Sequence, residues 1–222
     1  DPPFFTQKRH RSRTRDGLTE FAFDDVWHNQ GDYSSFLSVR LSEMRRLLSS
    51  RGSLFFHCDR RANHRARVLL DDIFGVDQFR AEIIWSYRRW SNSSRQLLPQ
   101  HQTILYYSAS DDYIFNEVRT EYSPTTNIDQ ILQRRTRDSR NMAAYLRDEH
   151  GNVVMNGSKK GVPLGDVWDI PYLNPKAQER VGYPTQKPVL LLERIITLAS
   201  LEESTILDPF CGSGTTLVAA KR

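Results

Sequence analysis

At 222 residues, with 38% hydrophobic content and a mean hydropathy of −0.60, the chain has room for one α/β domain with an elaboration and is short for two full domains. No apolar run approaches the ~20 residues of a membrane span, no signal-peptide pattern is read, and two cysteines, Cys58 and Cys211, exclude a disulfide framework and a Cys-based zinc site. The His residues show no HExxH spacing, so no metal is expected, and a reducing cytoplasmic compartment is.

Net charge is only +4, but 25 of the 31 basic residues are Arg. They gather at Arg9, Arg11, Arg13 and Arg15, at Arg60 to Arg67, at Arg88 and Arg89, and at Arg134 to Arg140. Arg contacts phosphate and guanine in a bidentate manner and stacks on bases, whereas solvated helix faces would explain any one cluster taken alone. Four clusters together favour nucleic acid.

In chain order, residues 5–34 are polar, basic and turn-rich and read as an active-site loop. Leu37, Leu41, Met44 and Leu48 recur at helical spacing, predicting an amphipathic helix that ends near Gly52. Ser53 to His57 reads as a short buried strand, and Ala66, Leu69, Leu70 and Ile73 as a second helix face stopped by Gly75. Strands are expected over Ala81–Tyr87 and Gln102–Tyr107, paired as a hairpin whose long basic loop contains Arg88, Arg89 and Trp90. Residues 109–180 lack a βαβ rhythm and read as an insertion. It includes an Arg-rich helical stretch from Ile128 to Arg140, a turn at His150-Gly151-Asn152, and a loop with Lys159, Lys160 and Pro163. Pro188 then opens a helix with Leu191, Ile195 and Leu198 on one face, Thr205–Leu207 reads as a strand, and a helix starts near Thr215.

Strand, acid, small-residue turn and helix is the build of a nucleotide-type cofactor site, here Asp208-Pro209-Phe210-Cys211-Gly212-Ser213-Gly214-Thr215. Leu217 stands where a dinucleotide fingerprint wants its third glycine, and no Gly-Lys-Ser/Thr is present for a P-loop. S-adenosylmethionine carries no phosphate, and its methionine carboxylate suits a helix N-terminus and the hydroxyls of Ser213 and Thr215.

The opposite end of the chain reads Asp1-Pro2-Pro3-Phe4. An exocyclic amino nitrogen of adenine or cytosine is a poor nucleophile, because its lone pair is delocalised into the ring. A carboxylate from Asp1 and the Pro2 carbonyl, each accepting one amino N–H, would localise that lone pair and favour the transition state. The prolines stiffen the loop, and Phe4 offers a face to a base flipped out of the duplex.

Together with Tyr183-Pro184-Thr185-Gln186-Lys187-Pro188, these motifs resemble those of the DNA amino-methyltransferase family, with catalytic motif first and cofactor motif last as in its β group. Leu54-Phe55-Phe56-His57-Cys58-Asp59, Asp71 to Gly75, Ile83-Ile84-Trp85 and Asp166 to Pro171 extend the resemblance over nearly the whole chain. It implies a doubly wound, Rossmann-like α/β methyltransferase fold with an antiparallel terminal hairpin and permuted motif order. The implied divisions are 1–108 (catalytic part), 109–180 (target recognition) and 181–222 (cofactor part). Catalytic roles fall to Asp1, Pro2, Pro3 and Phe4. Cofactor contacts are implied for Thr185, Gln186, Lys187, Asp208, Pro209, Phe210, Gly212, Ser213, Gly214 and Thr215. Phosphate clamping is expected of Arg9, Arg11, Arg13, Arg88 and Arg89.

The implied activity moves a methyl group from S-adenosylmethionine to adenine N6 in double-stranded DNA, since Asp heads the motif more often with adenine and Ser with cytosine. Cytosine-N4 methylation, a non-catalytic DNA-binding subunit of the same fold, and methylation of RNA or protein are the alternatives. A bacterial or phage-type, nucleoid-associated enzyme is expected, with a second copy and a restriction subunit as open partners. His57, Cys58, Asp59 and His64 invite a nucleophilic reading, but a Cys on a buried strand packs rather than reacts. The chain reads as a fragment missing sequence on both sides, and on that reading it is expected to bind the cofactor weakly and to be inactive alone.

Overall fold

The structure, a computed structural model, describes residues 1–13, 19–89, 95–122, 127–157 and 161–222. Arg15, Trp90, Lys159 and Lys160, singled out above, lie outside the described residues, as does the side chain of Arg13. The chain divides into two compact units, one made of Asp1–Asn116 and Gly165–Arg222 and the other of Glu117–Leu164. The second unit is narrower than the 109–180 insertion drawn from the sequence: residues 109–116 and 165–180 belong to the first unit.

Lys8–Arg13 (β1) and Thr19–Asp25 (β2) form an antiparallel hairpin with a bulge between His10 and Arg11. The stretch 5–34 is therefore not the irregular loop that its polarity suggested. Basic β1 faces a strand carrying Glu20, Asp24 and Asp25, and Arg9 pairs with Asp24 at 3.3 Å. The backbone ladder and the stacked His10 and Phe23 rings hold the hairpin without the apolar alternation that marks a half-buried strand.

Gln30–Leu47 (α1) starts where the Asn29 side chain accepts the Asp32 N–H at 3.0 Å, an N-cap that satisfies one of the orphan donors of the first turn. It buries Tyr33, Leu37 and Leu41, four residues apart on one stripe. Ser53–Cys58 (β3) follows, then Asn63–Phe74 (α2), which stops at Gly75 where φ of +92° suits a residue without Cβ. Phe79–Ser86 (β4) and His101–Ser108 (β5) make the expected antiparallel hairpin.

The second unit holds Arg119–Thr120 (β6), Ile128–Leu132 (α3), Arg135–Arg137 (β7), Ala143–Tyr145 (β8) and Val162–Pro163 (β9). The helix expected from Ile128 to Arg140 breaks after Leu132, and its Arg-rich half pairs as the β7–β8 hairpin. Back in the first unit, Val167–Asp169 (β10) adds to β4 in parallel, giving a sheet of order β10-β4-β5-β3.

Register assigns the two faces of that sheet. Phe56, Cys58, Leu105 and Tyr107 share one face and pack in a core with Tyr33, Leu37 and Leu41 of α1 and Ala66, Leu70 and Phe74 of α2. The alternate residues, Phe55, His57, Gln102, Ile104, Tyr106, Trp85 and Trp168, share the other face. There Phe55 and Tyr106 stack at 4.3 Å, and Arg194 of Val189–Ala199 (α4) lies over the Trp168 ring. Thr215–Lys221 (α5) packs on α4. Thr205–Leu207, expected as a strand, is not one: it has no ladder partner among the described residues, and Leu207 is exposed. Among the described residues no helix is long and apolar enough to cross a membrane.

The α1–α2 face carries the packing. Leu41 is fully enclosed, so Leu41→Ala is expected to cost about 2–5 kcal/mol, read as a fall in the urea midpoint with unchanged slope.

Candidate functional site

The Asp1–Phe4 loop is held by Asp25, the last residue of β2. Only 1% exposed, its carboxylate accepts the backbone N–H groups of Phe4 (3.1 Å), Phe5 (3.0 Å) and Thr6 (2.8 Å), the Thr6 hydroxyl (2.5 Å) and the Trp27 indole (2.8 Å). Phe5 and Gln7 adopt left-handed backbone at φ of 61° and 57°, a conformation that costs about 1–3 kcal/mol per non-glycine residue unless its surroundings enforce it. The Asp25 bonds enforce it at Phe5. At Gln7 the side chain is tied to Trp27, accepting its N–H at 2.9 Å and donating to its carbonyl at 3.0 Å. Tyr33, on the buried stripe of α1, donates to the Pro3 carbonyl at 2.8 Å, while the Pro2 carbonyl takes no hydrogen bond among the described residues.

So positioned, Asp1 meets two side chains from distant parts of the chain. Its Oδ1 lies 3.0 Å from His57 Nδ1, and its Oδ2 lies 2.5 Å from Lys187 Nζ. His57 Nε2 is in turn 2.9 Å from Gln102 Oε1. Phe4 stands edge-on to the His57 ring at 5.3 Å, and Lys187 Nζ sits 5.7 Å from the Phe4 ring centroid.

Burial pushes the Lys187 ammonium down to about 7, and the Asp208 charge acts against it. Direct contact with the Asp1 carboxylate also favours the charged form, so the pair is held as ammonium and carboxylate. His57 is pulled well below 6.5, first by burial and then by the Lys187 charge, with Gln102 and Asp59 opposing; the ring is neutral at pH 7.

The cofactor-type turn lies at the other end of the chain. Asp208 accepts from Phe210 N–H at 3.1 Å and from the Thr216 hydroxyl at 2.5 Å, so its oxygens shape the turn. Gly212 and Gly214 are left-handed at φ of 51° and 76°, and a Cβ on Gly212 would come within 3.1 Å of the Tyr183 ring. Ser213 and Thr215 share a hydroxyl bond of 2.9 Å, Pro209 is exposed, and the half-buried Phe210 ring is 6.2 Å from Phe36. Lys187 touches Asp1, and Tyr183 of the same segment lies against Gly212, so the segment 183–188 contacts both end motifs.

Within the motif ahead of α4 the residues divide. The Thr185 carbonyl accepts from Lys187 at 2.7 Å. Gln186 is committed to the chain before it, donating to the Glu179 carbonyl at 2.6 Å and accepting from Val181 N–H at 2.8 Å. Beside them opens a cleft of about 250 Å³ lined by Trp85, Arg89, Tyr172, Arg180, Tyr183 and Gln186, among others.

Of the expected phosphate clamps, Arg9 is exposed and paired with Asp24, Arg11 and Arg88 are exposed, and Arg89 lies over the Tyr172 ring at 5.9 Å on the cleft wall. Within the 60–67 cluster Arg60 and Arg61 are exposed, and three members have partners: Arg61 binds Asp59, Arg65 binds Gln30, and Arg67 binds Asp71 and covers Phe79. Cys58 points into the α1–α2 core with its thiol pushed up to about 12 by burial, as packing rather than reactivity requires. Asp25, Tyr33, Gln102 and Arg180 were not anticipated, and His57 was set aside. Only His57 carried a signal, as the polar residue within a run of large apolar ones.

A model of the N6/N4 methyltransferases, described as DNA methylase, matches residues 1–222. The chain belongs to the DNA methylase family. It is 29% identical over 217 residues to the DNA adenine methyltransferase YhdJ of Escherichia coli K12, covering 97% of this chain and 64% of that protein. It is 26% identical to the type II methyltransferase M.HpaI of Haemophilus parainfluenzae, covering 97% of this chain and 57% of that one. The chain thus spans between about half and two thirds of these relatives' lengths. Among solved structures, the M1.HpyAVI–SAM complex superposes with a TM-score of 0.55 at 18% identity, over 86% of this chain and 72% of that one. The chain shares that fold, a Rossmann-like α/β methyltransferase fold.

His57 gives the chain a signed pH response. Below 6.5 the unfolded chain takes up a proton on this residue that the folded one refuses, so stability is lost as pH falls through that value. The urea midpoint is expected to drop between pH 7.5 and pH 5, and His57→Phe is expected to reduce that drop.

Proposed function

We propose that the protein methylates an exocyclic amino group of DNA, with adenine N6 as the target and S-adenosylmethionine as the methyl donor. The observation that carries this is the contact of Asp1 with Lys187, from opposite ends of the chain, in a segment whose Tyr183 ring lies against Gly212 of the glycine turn. The membership of the family supports the reaction, and the Asp at the head of the motif supports adenine over cytosine.

The residues present fit the cofactor. Glycines at left-handed positions, one of them against the Tyr183 ring, leave a turn that a side chain would fill. Lys187 supplies a buried positive charge for the methionine carboxylate, and the Ser213 and Thr215 hydroxyls supply donors. The bound cofactor supplies an activated sulfonium methyl, so no metal is required.

What the chain itself does is hold the amine. The Asp1 carboxylate accepts one amino N–H and the unengaged Pro2 carbonyl the other, which localises the nitrogen lone pair and stabilises the positive charge that develops on it. Both acceptors are fixed before the substrate arrives, because Asp25 and Tyr33 set the loop and Lys187 holds the carboxylate. Phe4 presents an aromatic surface for an extrahelical base. Arg89 and Arg180, with Tyr172 and Tyr183, give the neighbouring cleft the stacking surfaces and cations that a nucleic acid strand requires. Residues 117–164, with their Arg-bearing β7–β8 hairpin, are proposed as the part that reads the target sequence.

Mass spectrometry of nucleosides from duplex DNA treated with the full-length protein is expected to show N6-methyladenine. N4-methylcytosine alone would overturn the adenine assignment, and no methylated nucleoside would overturn the reaction. Asp1→Ala is expected to lower kcat by about 10²–10³ with cofactor affinity retained. Gly212→Ala is expected to do the reverse and raise the cofactor Kd, because its Cβ meets Tyr183.

A further inference from the structure

His57 is idle in the reaction as derived so far, yet it is 6% exposed and bonded at both ring nitrogens. It stands on the sheet face opposite the α1–α2 core, and the period-two register of β3, β5 and β4 brings Gln102 and Trp85 to that same face. Phe4 stands edge-on to the ring at 5.3 Å and Trp85 is tilted against it at 5.5 Å, so the imidazole has little room to turn.

We propose that His57 is the positioning residue of Asp1: a neutral imidazole that donates Nδ1–H to Oδ1, its tautomer fixed by the Gln102 side-chain amide. The proposal rests on the reading of Asp1 as the acceptor for the target amine.

A neutral imidazole has one N–H, and an ionised carboxylate can only accept. With Asp1 held ionised by Lys187, the proton between Asp1 and His57 belongs on Nδ1. Nε2 is then an acceptor. The Gln102 amide beside it has an oxygen and an NH2 end that exchange by half a turn, and the NH2 end completes the network. Burial and the Lys187 charge both disfavour the imidazolium that would place a proton on each nitrogen. An ionised carboxylate has roughly four lone-pair sites. His57 and Lys187 take one on each oxygen, which fixes the plane of the group and leaves capacity for an amino N–H. Without His57 the carboxylate is free to rotate about its last bond towards the ammonium, and the aim of the acceptor is lost while the cofactor turn is untouched.

The tautomer is read directly by imidazole ¹⁵N NMR on the full chain at neutral pH, without any dependence on activity. A ring protonated at Nδ1 alone is expected. An Nε2-protonated ring or an imidazolium would overturn the proposal.

Kinetics of the full-length protein supply the second arm. His57→Phe is expected to lower kcat about 100-fold, the scale of a misplaced reacting group, with the KM for DNA and the cofactor Kd little changed. His57→Asn places an amide N–H where Nδ1–H stands and is expected to restore most of that loss. Wild-type kcat in His57→Phe, or an Asn variant no better than Phe while cofactor still binds, would sink the idea. If the wild-type protein transfers no methyl group but its ring is protonated at Nδ1, the reaction is wrong and the positioning stands.

Discussion

The site depends on one buried carboxylate that takes no part in the chemistry. Asp25 gathers five donors within 3.1 Å, three of them consecutive backbone N–H groups of the Phe4–Thr6 turn. A carboxylate taken out of water costs several kcal/mol unless its lone pairs are filled. Here they are filled by the backbone that has to be shaped, so the desolvation cost of Asp25 and the strain of the left-handed Phe5 are offset by the same set of bonds. The Tyr33 bond to Pro3 and the Gln7–Trp27 pair extend that anchoring on either side. A loop held at this many points presents Asp1 and the Pro2 carbonyl in one geometry, which two prolines alone would not secure.

The second constraint is charge. Lys187 is largely buried while the Asp1 side chain keeps partial exposure, and among the described residues Lys187 is the one lysine or arginine that the Asp1 carboxylate contacts directly. Removing Asp1 would leave the largely buried Lys187 ammonium without that partner, which a buried charge tolerates poorly. Lys187 therefore ties the first residue of the catalytic motif to the segment that leads into α4, and through that to the glycine turn. The order of motifs along the chain, chemistry first and cofactor turn last, is compatible with one site because a lysine near the far end closes the distance.

Much of this was legible in the sequence, and the parts that were not share a cause. Helical spacing gave the α1 stripe, and apolar runs gave β3, β4 and β5, because burial imposes a period on the residues themselves. The β1–β2 hairpin was read as a loop because its stability rests on pairing and on the Asp25 network, and neither leaves an apolar period. β7 was read as helix because Arg favours helices locally, while the partner strand β8 decides the outcome. Thr205–Leu207 has the composition of a strand but no ladder partner among the described residues, and a strand exists only as one of a pair. The motif residues were legible as chemistry. Their supports, Asp25, Tyr33 and Gln102, are ordinary residue types whose roles arise 30 to 45 positions from their partners or across a hairpin.

The arginines show the same division between what composition suggests and what contacts decide. Arg61, Arg65, Arg67 and Arg80 are consumed by neighbours, Arg80 alone binding Ser108, Gln78, the Ser110 carbonyl and Asp111. These guanidiniums fasten loops to the sheet and to α2, and a phosphate would have to displace an existing partner to reach them. Arg11, Arg88 and Arg180 have no side-chain hydrogen bond or ion pair among the described residues, and Arg89 lies against an aromatic ring on the cleft wall. A polyanion exchanges only water for its contacts with such groups, so it meets these first. The argument from arginine content thus holds for the arginines that have no such partner, and Arg89 and Arg180 line the cleft beside the Asp1 network.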